Sequence, residues 1–420
     1  MKSSAGRNEA YDVLVIGGGA AGLMAAAAAG ERGLKTAILE PNRDLGRKVR
    51  LTGKGRCNVT NACPVRDFLR RVPTNPKFLY SSLTAFPPEE TMRFFESIGV
   101  PLKIERGDRV FPVSDNAHDV ADALARYVRA HGVAVLPLRC DSIITADGHV
   151  TGVRAGSRFL EAPSVIVCTG GRSYPLTGSD GSGYAMAAAL GHHVLPARPS
   201  LVPLESPEDF CAELAGFSPR NVTLTLLEDG HPVFSELGEM LFTHFGVSGP
   251  LVLSASAYMR RAEAAYSLVI DFKPALSEEK LDARILRDFA ANPNRDFRNA
   301  LTELAARSFV PVLVRLCGLT GGEKVHSITR EQRLRLVRLL KAFPLAVSGT
   351  RPIDEAIVTA GGVDVKQINP RTMQSRLVPG LYFAGEVLDV DAFTGGFNLQ
   401  IAWSTGRLAG QSVCPERMFE

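Results

Sequence analysis

The sequence predicts an α/β protein whose nucleotide-binding domain is assembled from both ends of the chain. Two observations carry this reading. Near the N-terminus, Asp12-Val-Leu-Val-Ile16 runs directly into Gly17-Gly-Gly-Ala-Ala-Gly22. Near the C-terminus, Gly380-Leu-Tyr-Phe-Ala-Gly385-Glu386 is followed by Gly395-Gly-Phe-Asn-Leu-Gln400. Between them the strand–helix alternation stops after Pro196 and sheet character returns near Ile357. The expected division is 1–197 and 346–420 for a split domain, 198–276 for a β-rich insertion and 277–345 for a helical one.

The first glycine block sits in the context that gives such motifs meaning. A β-type run precedes it, an Ala-rich helix from about Ala20 to Arg32 follows, and a second strand, Lys35–Leu39, ends in Glu40. That acid lies about twenty residues on, where dinucleotide folds place a ribose ligand. Gly17 makes the tight turn, Gly19 admits a pyrophosphate to the backbone, and Gly22 lets helix and strand pack closely. The helix N-terminus offers free N–H groups and a positive dipole end to the phosphates. Gly17, Gly19, Ala21, Gly22 and Glu40 are therefore candidate cofactor contacts. Glu40 accepting from the 2′-hydroxyl argues against a 2′-phosphate there.

The next stretch, Gly46 to Asn61, reads as a long Gly/Arg loop. Helices are expected near Pro88–Gly99 and His118–His131, and a strand at Gly132–Leu136. Asp141–Leu160 should form a small antiparallel excursion turning at Asp147-Gly148. Ser164–Cys168 reads as a buried parallel strand ending at Thr169-Gly170-Gly171. Prolines 196, 199, 203 and 207 then mark a change of character. Val222–Leu227 opens a hairpin at Asp229-Gly230, and the pattern is helical from about Ser277 to Phe343.

The C-terminal block makes the dinucleotide a flavin. Glu386, after a short apolar strand, stands where flavoproteins accept from ribityl hydroxyls. Gly396 lets the helix Phe397-Asn398-Leu399 start close to the ring, its N-terminus toward flavin N1 and C2=O. The chain after the second strand should pass along the diphosphate, so Arg47, Lys48 and Arg56 can offset its charge. Gly55, Cys57 and Asn58 fall beneath the ring, and Thr169, Gly170 and Gly171 border it. Cys57 and Cys63 lack the helical C-x-x-x-x-C spacing of a redox pair, so Cys57 is expected to pack singly near the flavin. His244, in Gly238–Pro250, and Tyr174 are candidate substrate-side proton donors; a hydrogen-bonded structural role suits both equally.

Composition sets bounds. At 420 residues and 45% hydrophobic, the chain can bury a large core. The apolar stretch Val13–Gly30 is broken by the glycine triplet and is read as strand and helix, not as a membrane span. Seven cysteines without a C-x-x-C pair suggest neither a disulfide framework nor zinc, and point to a reducing cytoplasm. Net charge is +4, with the basic excess between Arg284 and Lys341. In the helix there, Leu336, Leu339 and Leu340 are expected to be buried while the arginines face out. That face is either simply solvated or an RNA surface.

These blocks, with Thr169-Gly-Gly-Arg-Ser-Tyr-Pro175, Gly178–Gly183, Gly238–Pro250 and the Gly-Arg-Cys-Asn sequence at 55–58, resemble the BaiN/RdsA family of FAD-binding, aminoacetone-oxidase-like oxidoreductases. The resemblance covers nearly the whole chain. It implies FAD and a Rossmann-like FAD-binding domain split by a β-barrel-like domain and a small helical domain. Activities it implies are reduction of C=C bonds conjugated to carbonyls, in bile acids or in uridine of ribosomal RNA, and amine oxidation with peroxide release. A flavin-bound RNA-associated or redox-sensing role is a third reading. No second strand–glycine–helix motif follows, so NAD(P)H is expected to donate transiently in the flavin cleft. The substrate is then a small molecule or RNA. The sequence leaves the oligomeric state open.

Overall fold

The structure, a computed structural model, describes residues 9–414. By backbone contacts the chain falls into two units, one running to Ser200 and resuming at Ile353, the other spanning Leu201–Pro352.

The first unit is organised by five parallel strands. In chain order, the elements that form and frame this sheet's site are β1 (Val13–Ile16), α1 (Ala20–Glu31), β2 (Thr36–Leu39), α2 (Arg47–Gly55), β3 (Ala134–Leu136), β4 (Ser164–Val167), β5 (Leu381–Phe383) and α3 (Phe397–Ser412). The sheet order is β5-β4-β1-β2-β3, with Val13 opposite Ser164 and Thr36, and Val165 opposite Leu381. Every residue of β1, β2, β4 and β5 is buried, as expected of parallel strands covered on both faces. The β5 edge strand comes from the C-terminal segment, so neither end of the chain makes this sheet alone.

α1 and α3 pack with almost no side chain between them. α1 is nearly all Ala and Gly, and α3 presents Gly406 and Gly410 four residues apart on one face. A methyl at Gly406 would overlap the Ala21 carbonyl, and one at Gly410 the Ala25 carbonyl. Nearer the start of α3, buried Trp403 donates to Val59 O at 2.9 Å. Buried Gln400 accepts from Thr60 Oγ1 at 2.5 Å and donates to Thr91 Oγ1 at 2.8 Å. These bonds discharge polar groups that would otherwise cost free energy in the interior.

One expectation fails here. The stretch after β2 is helical, not a loop, through Arg47–Leu51, starting from Gly46 in the left-handed region (φ +67°). Arg, Lys and Leu are good helix formers, and Val49 buries one side of the turn. The helix breaks where Thr52, Gly53 and Lys54 leave helical geometry. The antiparallel excursion forms as Ser142–Ala146, His149–Ala155 and Arg158–Glu161, with Glu9–Ala10 added in parallel.

The second unit holds two four-stranded antiparallel sheets. One has the order His231–Gly238, Val222–Glu228, Tyr266–Asp271, Phe343–Val347. Its last strand follows the helices in sequence, so the helical segment is an excursion between two neighbouring strands. The β-rich and helical insertions expected as separate domains therefore share one contact unit. In the helix Arg330–Lys341, Leu336, Val337 and Leu340 are buried and Leu339 is half-buried. Its arginines are not uniformly solvated: Arg333 Nε donates to Asp282 at 2.7 Å. Among the described residues, no helix is long and apolar enough to cross a membrane.

The helix contact sets a stability test. Gly406→Val should lower unfolding free energy by about 2–3 kcal/mol or more, because backbone must move to admit it. Gly349→Val, at a position with open space and ordinary φ, should change it by less than about 0.5 kcal/mol. Urea denaturation of the two variants measures the difference.

Candidate cofactor site

A cavity of about 500 Å³ lies in the first unit, at the C-terminal ends of β1 and β4. Such crevices are where open α/β sheets bind ligands. The turn from β1 to α1 forms its floor. Gly17 has φ +101°, and a Cβ there would lie 2.6 Å from Cys168 O. A Cβ on Gly22 would overlap the Gly17 carbonyl. Both glycines are thus demanded by the protein itself. Gly19 is different. Its φ of −79° suits any residue, and a Cβ there would meet nothing within 4 Å. The space beside it is the cavity.

Two helix N-termini open into this space. Ala20 and Ala21 of α1, and Asn398 and Leu399 of α3, line the cavity. Neither helix has a side-chain cap on its first-turn N–H groups, which have no acceptor within the helix. The N-cap of α3, Gly396 (φ +97°), is pressed against Thr60, where a methyl would overlap backbone. In the amide orientation that satisfies both its ends, Asn58 donates to Val110 O and Thr60 O and accepts from Gly396 N–H at 3.1 Å. Asn58 therefore fixes where α3 begins.

Carboxylates on two walls hold the frame. Glu40 accepts from Gly18 N–H at 2.8 Å and from the Asn42 backbone and side chain at 2.9 and 2.7 Å. The end of β2 is thereby tied to the glycine turn, and the two carboxylate oxygens have lone pairs left for another donor. Glu386 accepts from Lys48 Nζ at 2.7 Å, Ser173 Oγ at 2.9 Å and Thr359 N–H at 2.9 Å. Thr359 Oγ1 in turn accepts from the Arg172 and Ser173 N–H groups. Segments from α2, the loop after β4 and the C-terminal block meet in this one network.

Of the residues expected from sequence, Gly17, Gly19, Ala21, Glu40, Arg47, Lys48, Thr169, Gly170, Glu386, Asn398 and Leu399 border the cavity. Thr169 Oγ1 is buried with no partner among the described residues, an unmet polar atom on a cavity wall. Gly22, Gly171, Gly385, Gly396 and Phe397 stand behind the lining. Gly171 packs under Thr359, Gly385 lies against Ala21, and Phe397 meets Phe68 edge-on. Tyr174 is half-buried at φ +53°, its ring 5.7 Å from Lys48 Nζ.

The tail of the Gly-Arg-Cys-Asn sequence departs from expectation. Arg56 is not turned to the cavity; its guanidinium binds Glu105 and Asp115 and lies over the Phe111 ring at 4.1 Å. Strands Leu102–Glu105 and Arg109–Pro112 bring those acids to it. Gly55 and Cys57 do not line the cavity either. Cys57 is fully buried at φ +59°, and burial pushes its thiol up to about 12. His244 belongs to the second unit, exposed in the turn between Leu241–Thr243 and Gly246–Ser248, edge-on to Phe245. Ser173 and Thr359 were not foreseen, and nothing in the sequence near Thr359 signals its role. Asn42, two residues beyond Glu40, could have been read as a local side-chain turn. Among the described residues, no group of three His, Cys, Asp or Glu is placed to hold a metal.

The HI0933-like protein Rossmann domain matches residues 11–412. The chain belongs to this family. It is 34% identical over 409 residues to the 3-dehydro-bile acid delta(4,6)-reductase of Clostridium scindens, covering 95% of this chain and 98% of that one. It is 30% identical over 415 residues to the ribosomal RNA dihydrouridine synthase of Escherichia coli, covering 96% and 98%. In fold it is similar to the 3-ketosteroid-delta4-(5alpha)-dehydrogenase of Rhodococcus jostii, with TM-score 0.50, 16% identity and 98% of both chains covered. Family membership makes the protein an FAD-dependent oxidoreductase. The cavity fits that cofactor: a glycine with no steric duty faces open space, two uncapped helix starts converge, and a threonine hydroxyl is unmatched.

The thiols give a direct check on the buried loop. All seven cysteines are free, with Cys414 exposed. Burial raises Cys57 and Cys140 to about 12 and Cys63 to about 11. Native protein treated with a thiol-disulfide reagent at mildly alkaline pH should therefore show one fast thiol, removed by Cys414→Ser. All seven should react in denaturant.

Proposed function

We propose that this protein is an NAD(P)H-driven, FAD-dependent reductase that saturates a C=C bond conjugated to a carbonyl. The observation carrying the cofactor half is Gly19, a glycine that neither sterics nor φ requires, beside open space at a helix N-terminus. The substrate half is supported by relatives named for a bile-acid Δ4,6 bond and for uridine, at 34% and 30% identity across nearly the whole chain. Both chemistries place a C=C beside a carbonyl, so one geometry can serve either.

Bound in the cavity, FAD would supply the two-electron chemistry that no side chain here can. The chain's part is to bind and orient. The first-turn N–H groups of α1, with Arg47 and Lys48, would hold the diphosphate. Glu40 would take the adenosine ribose and Glu386 the ribityl hydroxyls. The N-terminus of α3 would face the electron-rich edge of the ring, where partial positive charge favours added electrons. Tyr174 Oη would deliver the proton at the substrate α-carbon. With no second glycine motif in the sequence, NAD(P)H would use the same cleft as the substrate, which makes the kinetics ping-pong.

Two experiments test this. Gly19→Val should fold, with a melting temperature close to wild type, and lose its FAD; a folded variant that keeps full FAD overturns the cofactor placement. Gly22→Val should instead lose the fold. For direction, protein reduced anaerobically with NADH or NADPH should regain its yellow absorbance on mixing with a steroid enone or a uridine-containing RNA. No return with either acceptor, together with stoichiometric peroxide from an amine in air, would make it an amine oxidase.

A further inference from the structure

A second cavity, of about 280 Å³, lies wholly within the second unit. It opens where strand Tyr266–Asp271 ends, against the segment 302–309 of the helical excursion. Three phenylalanines form its apolar side. Phe217 and Phe309 have ring centroids 5.6 Å apart at 30°, and Phe272 and Phe309 are 4.7 Å apart at 49°. Phe309 is core, while Phe217 and Phe272 are half-buried and border the cleft, their rings stacked on one another at 6.5 Å and 23°.

The charges around it are unbalanced. Lys273 lines the cavity half-buried, and its ammonium has no hydrogen bond or ion pair among the described residues. The anions nearby are already engaged. Asp271 binds Lys341 Nζ at 2.6 Å, and Glu303, also on the wall, binds Arg295 at 2.5 Å. Arg220, exposed on the same rim, has no partner either. Burial, and then the charge of Arg284, push the Lys273 pKa down. A half-buried cation in this state gains from any anion that reaches it.

We propose that this cleft is a nucleotide-binding site, taking an aromatic base against Phe217 and Phe272 and a phosphate on Lys273 and Arg220. Flat rings beside unpaired cations are the combination by which proteins hold single nucleotides, through stacking and charge-assisted hydrogen bonds. At about 280 Å³ the cleft lies just below the roughly 300–1,000 Å³ of typical small-molecule sites. A free nucleotide and an unpaired nucleotide of an RNA present the same chemistry. The assignment rests on this cleft alone and does not depend on the flavin reading.

Calorimetric titration of the full-length, flavin-loaded protein with UMP, uridine, inorganic phosphate and a short oligouridylate tests it. UMP should bind saturably, with uridine and phosphate each much weaker. Lys273→Met should weaken UMP by about ten-fold or more, and Phe217→Ala similarly, with Phe217→Tyr retaining binding. Flavin content should be unchanged throughout. If Phe217→Ala melts early, Lys273→Met, at a half-exposed side chain, carries the test. Oligouridylate binding lost in Lys273→Met identifies RNA as the source; UMP binding without it identifies a free nucleotide. No saturable UMP binding, affinity unchanged in Lys273→Met, or phosphate binding as tightly as UMP would each overturn the proposal.

Discussion

Backbone must touch backbone at three places for this cavity to exist. Gly22 rests on the Gly17 carbonyl, Gly406 on Ala21, and Gly410 on Ala25. At each, a single methyl group would hold two segments apart. The first contact seats α1 on the turn that leaves β1. The other two lay α3 along α1, so that both helices begin beside the same space. Gly385, with its Cβ position 2.7 Å from Ala21 Cβ, brings the end of β5 to that point as well. Helix termini are useful to a ligand only if nothing else fills their first turn, and here close packing leaves both uncapped.

Polar groups then lock what the glycines permit. Glu40 pins the glycine turn from β2, and Glu386 gathers Lys48, Ser173 and Thr359 from three separate stretches. Each carboxylate is met by several donors, which offsets the cost of placing it in a partly buried wall. The frame is therefore set by the protein's own hydrogen bonds. A ligand entering it has little ordering to impose, and the loss of freedom on binding is correspondingly small.

The sequence showed the parts of this arrangement that depend on short spacing. Strand, glycine turn, helix and acid fall within thirty residues, and the helix expected over Ala20–Arg32 runs Ala20–Glu31. What it concealed depends on distant partners. Gly46–Asn61 looked like a loop because glycine and arginine dominate it, yet Arg47–Leu51 forms a helical turn that buries Val49. Arg56 looked free to meet phosphate because Glu105 and Asp115 lie far off in sequence. Gly406 and Gly410 gave no signal of their own, since an alanine helix waiting near the other end of the chain is not visible locally. The strand Phe343–Val347 was hidden likewise by the helices between it and its partner Tyr266–Asp271.

The split of the first unit has a consequence for synthesis. Chains emerge from the ribosome N-terminus first, and contiguous domains fold as they appear. The second unit, continuous from Leu201 to Pro352, can close while the C-terminal segment is still being made. The first unit cannot. Its β4 edge waits for β5, and the alanine face of α1 waits for Gly406 and Gly410, among the last described residues. Until then, a largely apolar helix and an open sheet edge must be kept from other chains, a period in which nascent-chain chaperones matter most. A chain released early, short of α3, would carry a complete second unit beside a first that has neither finished sheet nor cavity.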